Sequence, residues 1–239
     1  YAQSMQWFGA AFFFFTLPVV LLIIRNPPTM ASDSLHAKLT LAGWTYKDAL
    51  QSRFFWMVSV AFVFCMGAQV GGISHLFNRA ETSFGLGTAA LAIQVLTLAS
   101  ISGRLLGGWI VMYVPIRGFT IGCAILQGLG LGIIGVADSP ALLLLGAGCF
   151  GAALGNLLML HPLWLAEVFG NKDYPRIFAL SNAISVIGVA SGPFVLGFVH
   201  DGFSYSASYL TASRLALFAV SIFVFSRSTP QPVSSPVQQ

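Results

Sequence analysis

Charge is what this sequence has least of. Of 239 residues, 8% are Asp, Glu, Lys or Arg, against about a quarter in an average soluble domain, and a water-facing surface cannot be assembled from so few. Nor is there a Lys/Arg cluster or a basic stripe interleaved with aromatics, so the formal net charge of +4 gives nucleic acid no footprint, and it is set aside as a partner. Cysteine is scarce as well. Cys65, Cys123 and Cys149 stand far apart inside apolar runs without CxxC spacing, which points to neither a thiolate metal site nor a disulfide framework, and no metal or cofactor is expected. No basic n-region or small-residue cleavage site precedes the first apolar run, so no signal peptide is read. The chain opens on Tyr1, which is taken as a sign of a piece of a longer protein.

What is present in excess is apolar: 56% of the residues are hydrophobic. The charged residues are not scattered among them but leave long uncharged runs, the pattern expected when the surrounding solvent is a lipid bilayer. Crossing about 30 Å of hydrocarbon takes about 20 apolar residues, and seven stretches qualify: 7–24, 54–76, 84–111, 118–137, 140–166, 177–200 and 206–226. The connections Asn78–Ser83, Asp138–Ser139 and Asp201–Tyr205 are short, whereas 25–53 is long. The expected organisation is one transmembrane helix (1–24), a linker (25–53), a six-helix transmembrane bundle (54–226) and a polar, Pro-rich disordered tail (227–239).

Orientation follows from Lys and Arg, which cytoplasmic loops retain during insertion. Arg25, Lys38, Lys47, Arg53, Arg117, Lys172, Arg176 and Arg227 fall on one side of the spans and Arg79 alone on the other. The linker, the 112–117 and 167–176 connections and the C-terminus are therefore expected in the cytoplasm of a cell with this chain in its plasma or inner membrane.

Small residues recur at i, i+4 in Gly67/Gly71, Gly103/Gly107, Gly128/Gly132, Gly151/Gly155 and Gly188/Gly192. Where lipid provides no hydrophobic drive between helices, such pairs let backbones approach closely. Pro18, Pro162 and Pro193 lie inside spans, where the missing N–H permits a bend; Gly192 and Pro193 together are the expected hinge.

Two segments resemble the major facilitator superfamily, in particular its monocarboxylate and oxalate/formate transporter branches. The first is Ser102-Gly103-Arg104-Leu105-Leu106-Gly107-Gly108-Trp109-Ile110, similar to the family's GRLxxGxLxDRxGR stretch between helices eight and nine. Met112, Tyr113 and Pro115 stand where that pattern has Asp, Arg and Gly. The second is Glu167-Val168-Phe169-Gly170, followed by Tyr174-Pro175-Arg176 and by Ser191-Gly192-Pro193 with Gly197, similar to the end of helix ten and to helix eleven. The resemblance spans nearly all of 1–226 and implies an all-α polytopic fold of seven transmembrane helices: the C-terminal six-helix half of a major-facilitator fold plus the preceding helix six. In such proteins two halves enclose a solute site near the bilayer midplane, so an N-terminal half is the implied partner.

Ionisable groups inside spans are costly and are functional candidates by default. Arg104 lies about seven residues from the cytoplasmic end of its span, ~10 Å at 1.5 Å per residue. Its planar guanidinium can clamp a carboxylate bidentately, as Lys cannot, and the resemblance gives an Arg at this place in helix eight a substrate contact. The alternative is a structural Arg reaching the cytoplasmic headgroups. Arg214, about nine residues into the last span, has no acid within any span to neutralise it and no assigned role. His161, beside Pro162, is a candidate for proton coupling, since a free imidazole titrates near 6.5, about one unit below working pH; packing is the alternative. Gln69 and Asn156, each mid-span, are candidates to contact the solute by lining a cavity, the alternative being a bond across helices.

These features favour a secondary active transporter of a small organic anion such as a carboxylate, working by alternating access. Efflux of hydrophobic or cationic compounds is the runner-up, weakened by the absence of an intramembrane acid. A polytopic membrane enzyme would need convergent acid/base or metal-ligating residues, and a channel a filter loop or charged ring; neither pattern is present, so no enzyme is expected.

Overall fold

The computed structural model describes residues 43–226, together with Phe13, Phe14 and Pro18, which are helical. The remainder of the 7–24 span, most of the linker and the 227–239 tail lie outside the described residues. From 43 onward the chain forms one short helix, α1 (Tyr46–Gln51), and six long ones: α2 (Arg53–Phe84), α3 (Leu86–Ile110), α4 (Ile116–Val136), α5 (Pro140–Phe169), α6 (Tyr174–Gly202) and α7 (Tyr205–Phe225). Among the described residues there is no strand beyond an isolated bridge. All six long helices have the length and apolarity to cross a membrane, and the chain is an all-α polytopic membrane protein.

The helix limits follow from local chemistry. Ser52 opens α2 by accepting the Phe55 N–H at 3.1 Å, and Ser204 does the same for α7 through Ala207 at 3.2 Å, each satisfying one orphan donor of a first turn. Pro140 and Pro175 occupy first-turn positions where their missing N–H costs nothing. Gly85 (φ 86°) and Gly170 (φ 70°) end α2 and α5 in the left-handed region.

One connection differs from the sequence expectation. Asn78–Ser83 is not a loop: α2 continues through it to Phe84. The polar groups that read as a loop are absorbed by the helix and its neighbour. Thr82 Oγ1 donates back to the Asn78 carbonyl at 2.7 Å, while the buried Arg79 guanidinium donates to Ser83 and, at 3.0 Å, to the Ala137 carbonyl. That carbonyl follows the last turn of α4, where a cation complements the helix dipole. At the opposite end of α4, Arg117 donates to the Val224 carbonyl at 2.7 Å in the last turn of α7. Two of the few charges thus serve as caps on neighbouring helices.

Packing is built on the glycines. The most extensive contact is between α2 and α6, and there Gly67 and Gly71 face Gly188 and Gly192 backbone to backbone. A Cβ on Gly71 would stand 2.8 Å from the Gly192 carbonyl oxygen, and one on Gly188 would overlap the Val63 carbonyl. The same device joins the parallel helices α3 and α5, where Gly103 lies against Ala152 and Gly151 against Leu96. Gly128 and Gly132 instead accommodate Leu217 and Ser213 of α7. Interhelical hydrogen bonds to backbone carbonyls supplement this packing: Tyr209 to Gly72 at 2.7 Å, Ser213 to Gly128 at 2.7 Å and Gln127 to Cys65 at 2.9 Å. Toward the end of the bundle where α2 begins and α5 ends, Phe54, Phe62, Trp164, Phe169 and Phe223 fill the core.

The end of the linker is not free of the bundle. Gly43 pairs with Gly170 in the antiparallel bridge, the Trp44 N–H donates to the Phe169 carbonyl at 2.8 Å, and the Tyr46 N–H donates to the Asp173 carboxylate at 2.8 Å. Asp173, which precedes α6, thereby caps α1. Gly43 has φ 151°, and a Cβ there would stand 2.6 Å from the Phe169 oxygen, so this approach requires glycine.

Candidate functional site

The least buried long helices are α3 and α6. Each turns an apolar face outward, with Leu98, Ile101 and Leu105 on α3 and Ile187, Phe194 and Phe198 on α6. Arg104 is the cation on the α3 face, exposed on the surface of the described bundle.

It lines a cavity of about 230 Å³ together with Thr97, Ser100 and Ile101 from α3, Ile73 from α2 and Leu154 from α5. Residues 97, 100, 101 and 104 share one face of a 3.6-residue helix. A helical side chain covers the turn N-terminal to its own Cα, so the Arg104 stem leans back over the turn that holds Ser100. Gly155 of α5 packs closely against this turn of α3: a Cβ there would stand 2.8 Å from Arg104 Cγ and 3.2 Å from Ser100 Oγ, and would overlap the Ser100 carbonyl. Among the described residues Arg104 has no hydrogen-bond or ion-pair partner. The arrangement is an arginine whose stem passes Gly155, a hydroxyl one turn away and aliphatic walls.

The other residues singled out in the sequence lie elsewhere. Gln69 and Asn156 are interior, 2% and 5% exposed. Neither lines the cavity. Asn156 Nδ2 donates to the Ala152 carbonyl at 2.9 Å, and the Asn156 side chain lies against Gly107; its Oδ1 and the Oε1 of Gln69 have no partner. His161 is 4% exposed. Its Nε2 shares a hydrogen bond of 2.8 Å with Ser181 Oγ, which shares another of 2.8 Å with Ser59 Oγ, and its ring stacks on Phe62 with centroids 4.0 Å apart. The chain His161–Ser181–Ser59 ties α5, α6 and α2 together in the interior. Arg214 is exposed on α7, without a partner among the described residues.

At the expected hinge, α6 is continuous. The Pro193 carbonyl accepts from His75 Nε2 at 3.1 Å, and Gly192 abuts the Gly67 carbonyl, so this stretch is held against α2. A wider opening of about 430 Å³ lies beside Trp109, Ile110, Tyr113 and Val114, at and just beyond the C-terminal end of α3. It has no charged lining residue.

Sequence reasoning reached Arg104 but passed over Thr97 and Ser100, and read Gly155 as a packing glycine. The spacing of Thr97 and Ser100, seven and four residues before Arg104, was the available signal.

No family model matches this chain, and no curated protein matches it. Solved structures do resemble it. An auto-inhibited POT family peptide transporter superposes with a TM-score of 0.67 at 16% identity, over 77% of this chain and 40% of that one. A variant of the E. coli fucose:proton symporter FucP superposes with a TM-score of 0.66 at 16% identity, over 90% of this chain and 53% of that one. This chain thus spans about half or less of either neighbour, and at this identity the likeness is one of fold. The likeness does not extend to the monocarboxylate or oxalate/formate branches that the two sequence segments resemble.

Proposed function

We propose that this chain forms one half of a secondary active transporter that carries a small organic anion, such as a carboxylate, by alternating access. The observation that carries the reading is Arg104: a cation without a protein partner among the described residues, at a cavity on an outward face of the bundle. An intramembrane guanidinium is stable only with a counter-charge or water, and a carboxylate of the cargo supplies that charge when bound. The half-length overlap with both transporter neighbours supports a second six-helix unit facing α3 and α6, with the solute held between the two. The eight-to-one Lys/Arg distribution supports a cytoplasmic C-terminus. The monocarboxylate-type branch rests on the Gly103-Arg104 and Glu167–Gly170 segments alone.

The test is the apparent affinity for carboxylates of Arg104→Lys and Arg104→Gln proteins matched for membrane abundance. Lys retains the charge but loses the bidentate fork, and a charge-assisted bond is worth roughly 1.5–3 kcal/mol, so both variants weaken binding about tenfold or more. Unchanged affinity in both eliminates the reading.

A further inference from the structure

We infer that Arg214 is a lipid site: on an outward side of α7 its guanidinium holds the phosphate of a glycerophospholipid from the leaflet in which α7 begins. The helix and the ligand differ from those of the solute site, and the inference does not depend on the transport reading.

Depth is the first consideration. α7 has 21 residues, ~32 Å at 1.5 Å per residue, so it barely exceeds ~30 Å of hydrocarbon. Arg214 lies about nine residues past Tyr205, ~13 Å below that end. A helical side chain leans over the turn N-terminal to its own Cα, here toward the end where α7 begins, and one turn recovers only ~5 Å. The guanidinium is left inside the hydrocarbon. It is exposed, with no hydrogen-bond or ion-pair partner among the described residues, and neither α4 nor α7 contains an Asp or Glu. A charge so placed requires an anion drawn down to it.

Direction decides which anion. α7 packs on α4, α2 and α6 and makes no extensive contact with α3. Ser213 and Leu217 meet Gly132 and Gly128 of α4, whereas Ser208 donates to the Leu196 carbonyl of α6 at 2.6 Å. On a 3.6-residue helix Arg214 stands about 60° from Leu217 and about 120° from Ser208, so it faces outward on the α4 side rather than toward α6. A water-borne anion does not reach that face across hydrocarbon, but a lipid phosphate does. The antiparallel register of α4 and α7 puts the exposed Ile125, Leu129, Leu217 and Phe218 on the bilayer-centre side of Arg214. Acyl chains descending from a phosphate at Arg214 lie along these side chains.

The experiment uses the full-length protein in detergent, as the parent, Arg214→Lys, Arg214→Leu and Lys47→Gln, the last removing an exposed cation outside the six spans. Unfolding midpoints are measured alone and with dioleoyl phosphatidylglycerol, dioleoylglycerol or inorganic phosphate, and phosphatidylglycerol affinity is measured by native mass spectrometry. Phosphatidylglycerol is expected to raise the parent midpoint, and Arg214→Leu to lose that shift and bind the lipid about tenfold or more weakly. Arg214→Lys keeps most of both, since a point charge also holds phosphate, and Lys47→Gln behaves as the parent. In plain detergent Arg214→Leu is at least as stable as the parent, so its lost lipid response is not a failure to fold. Parental phosphatidylglycerol affinity in Arg214→Leu, or an equal loss in Lys47→Gln, overturns the site. A shift by dioleoylglycerol as large as that by phosphatidylglycerol overturns the phosphate contact, and an equal shift by inorganic phosphate overturns the lipid as its source. A lower midpoint of Arg214→Leu in plain detergent assigns Arg214 a partner within the protein and overturns the inference as well.

Discussion

Individual residues in this chain divide into those that hold the bundle together and a few with no partner among the described residues. Arg79 and Arg117 cap neighbouring helices, whereas Arg104 and Arg214 have no partner among the described residues. His161 belongs with the first group by its geometry: it is buried, stacked on Phe62 and bonded through Ser181 to Ser59. Removing the middle of that chain strands two buried polar groups, each costing about 1–3 kcal/mol when unsatisfied. Ser181→Ala is therefore expected to lower the unfolding midpoint in detergent clearly, while Ser74→Ala, whose hydroxyl only returns to its own helix at Val70, leaves it nearly unchanged. Equal midpoints for the two would contradict a structural role for the network. Arg104 was legible in the sequence because it is the one charge in the stretch from Thr82 to Ile116. The directions in which Gln69 and Asn156 point were not. Helices that are apolar all round, as these are, carry no amphipathic phase to say which side faces inward.

Helices as units were the most legible level, since long uncharged runs in a membrane leave the backbone no alternative that satisfies its own hydrogen bonds. The expected spans fall within a few residues of α3 to α7, and the one large error, the early end given to α2, arose because polar residues at 78–83 read as a loop when their side chains are in fact satisfied by the helix and by α4. The i, i+4 glycines announced close packing, but not which helix each pair would meet; that Gly67/Gly71 oppose Gly188/Gly192 depends on the tertiary arrangement. The helix α1 was missed altogether: it is only six residues long, and beside its local Thr45 cap its first N–H is met by Asp173, 127 positions away from Tyr46. The glycine contacts make a sharp comparison possible. Gly188→Ala places a methyl inside the Val63 carbonyl and must push α2 and α6 apart, an overpacking cost of about 1–3 kcal/mol or more. Gly122→Ala meets nothing within 4 Å and is expected to be neutral or mildly stabilising. Thermal unfolding of the two variants checks this, and a Gly188→Ala protein as stable as Gly122→Ala would show that the α2–α6 interface is looser than described.

For the molecule as a whole, the six-helix bundle presents α3 and α6 as its least covered long helices, and matches somewhat over half of one transporter and less than half of another. Fold class was readable from composition because apolar content and span count leave few architectures; the solute was not, because one guanidinium fits many carboxylates. The proposed function requires both an anion-binding cavity here and a second half to close it. The most direct measurement is uptake of labelled propionate by proteoliposomes containing residues 1–239 alone, the same chain joined to its N-terminal half, and the joined protein with Arg104→Gln. Saturable uptake is predicted only for the joined parent protein, with the Arg104→Gln protein reduced at least tenfold; saturable uptake by residues 1–239 alone, or undiminished uptake by Arg104→Gln, would contradict the account.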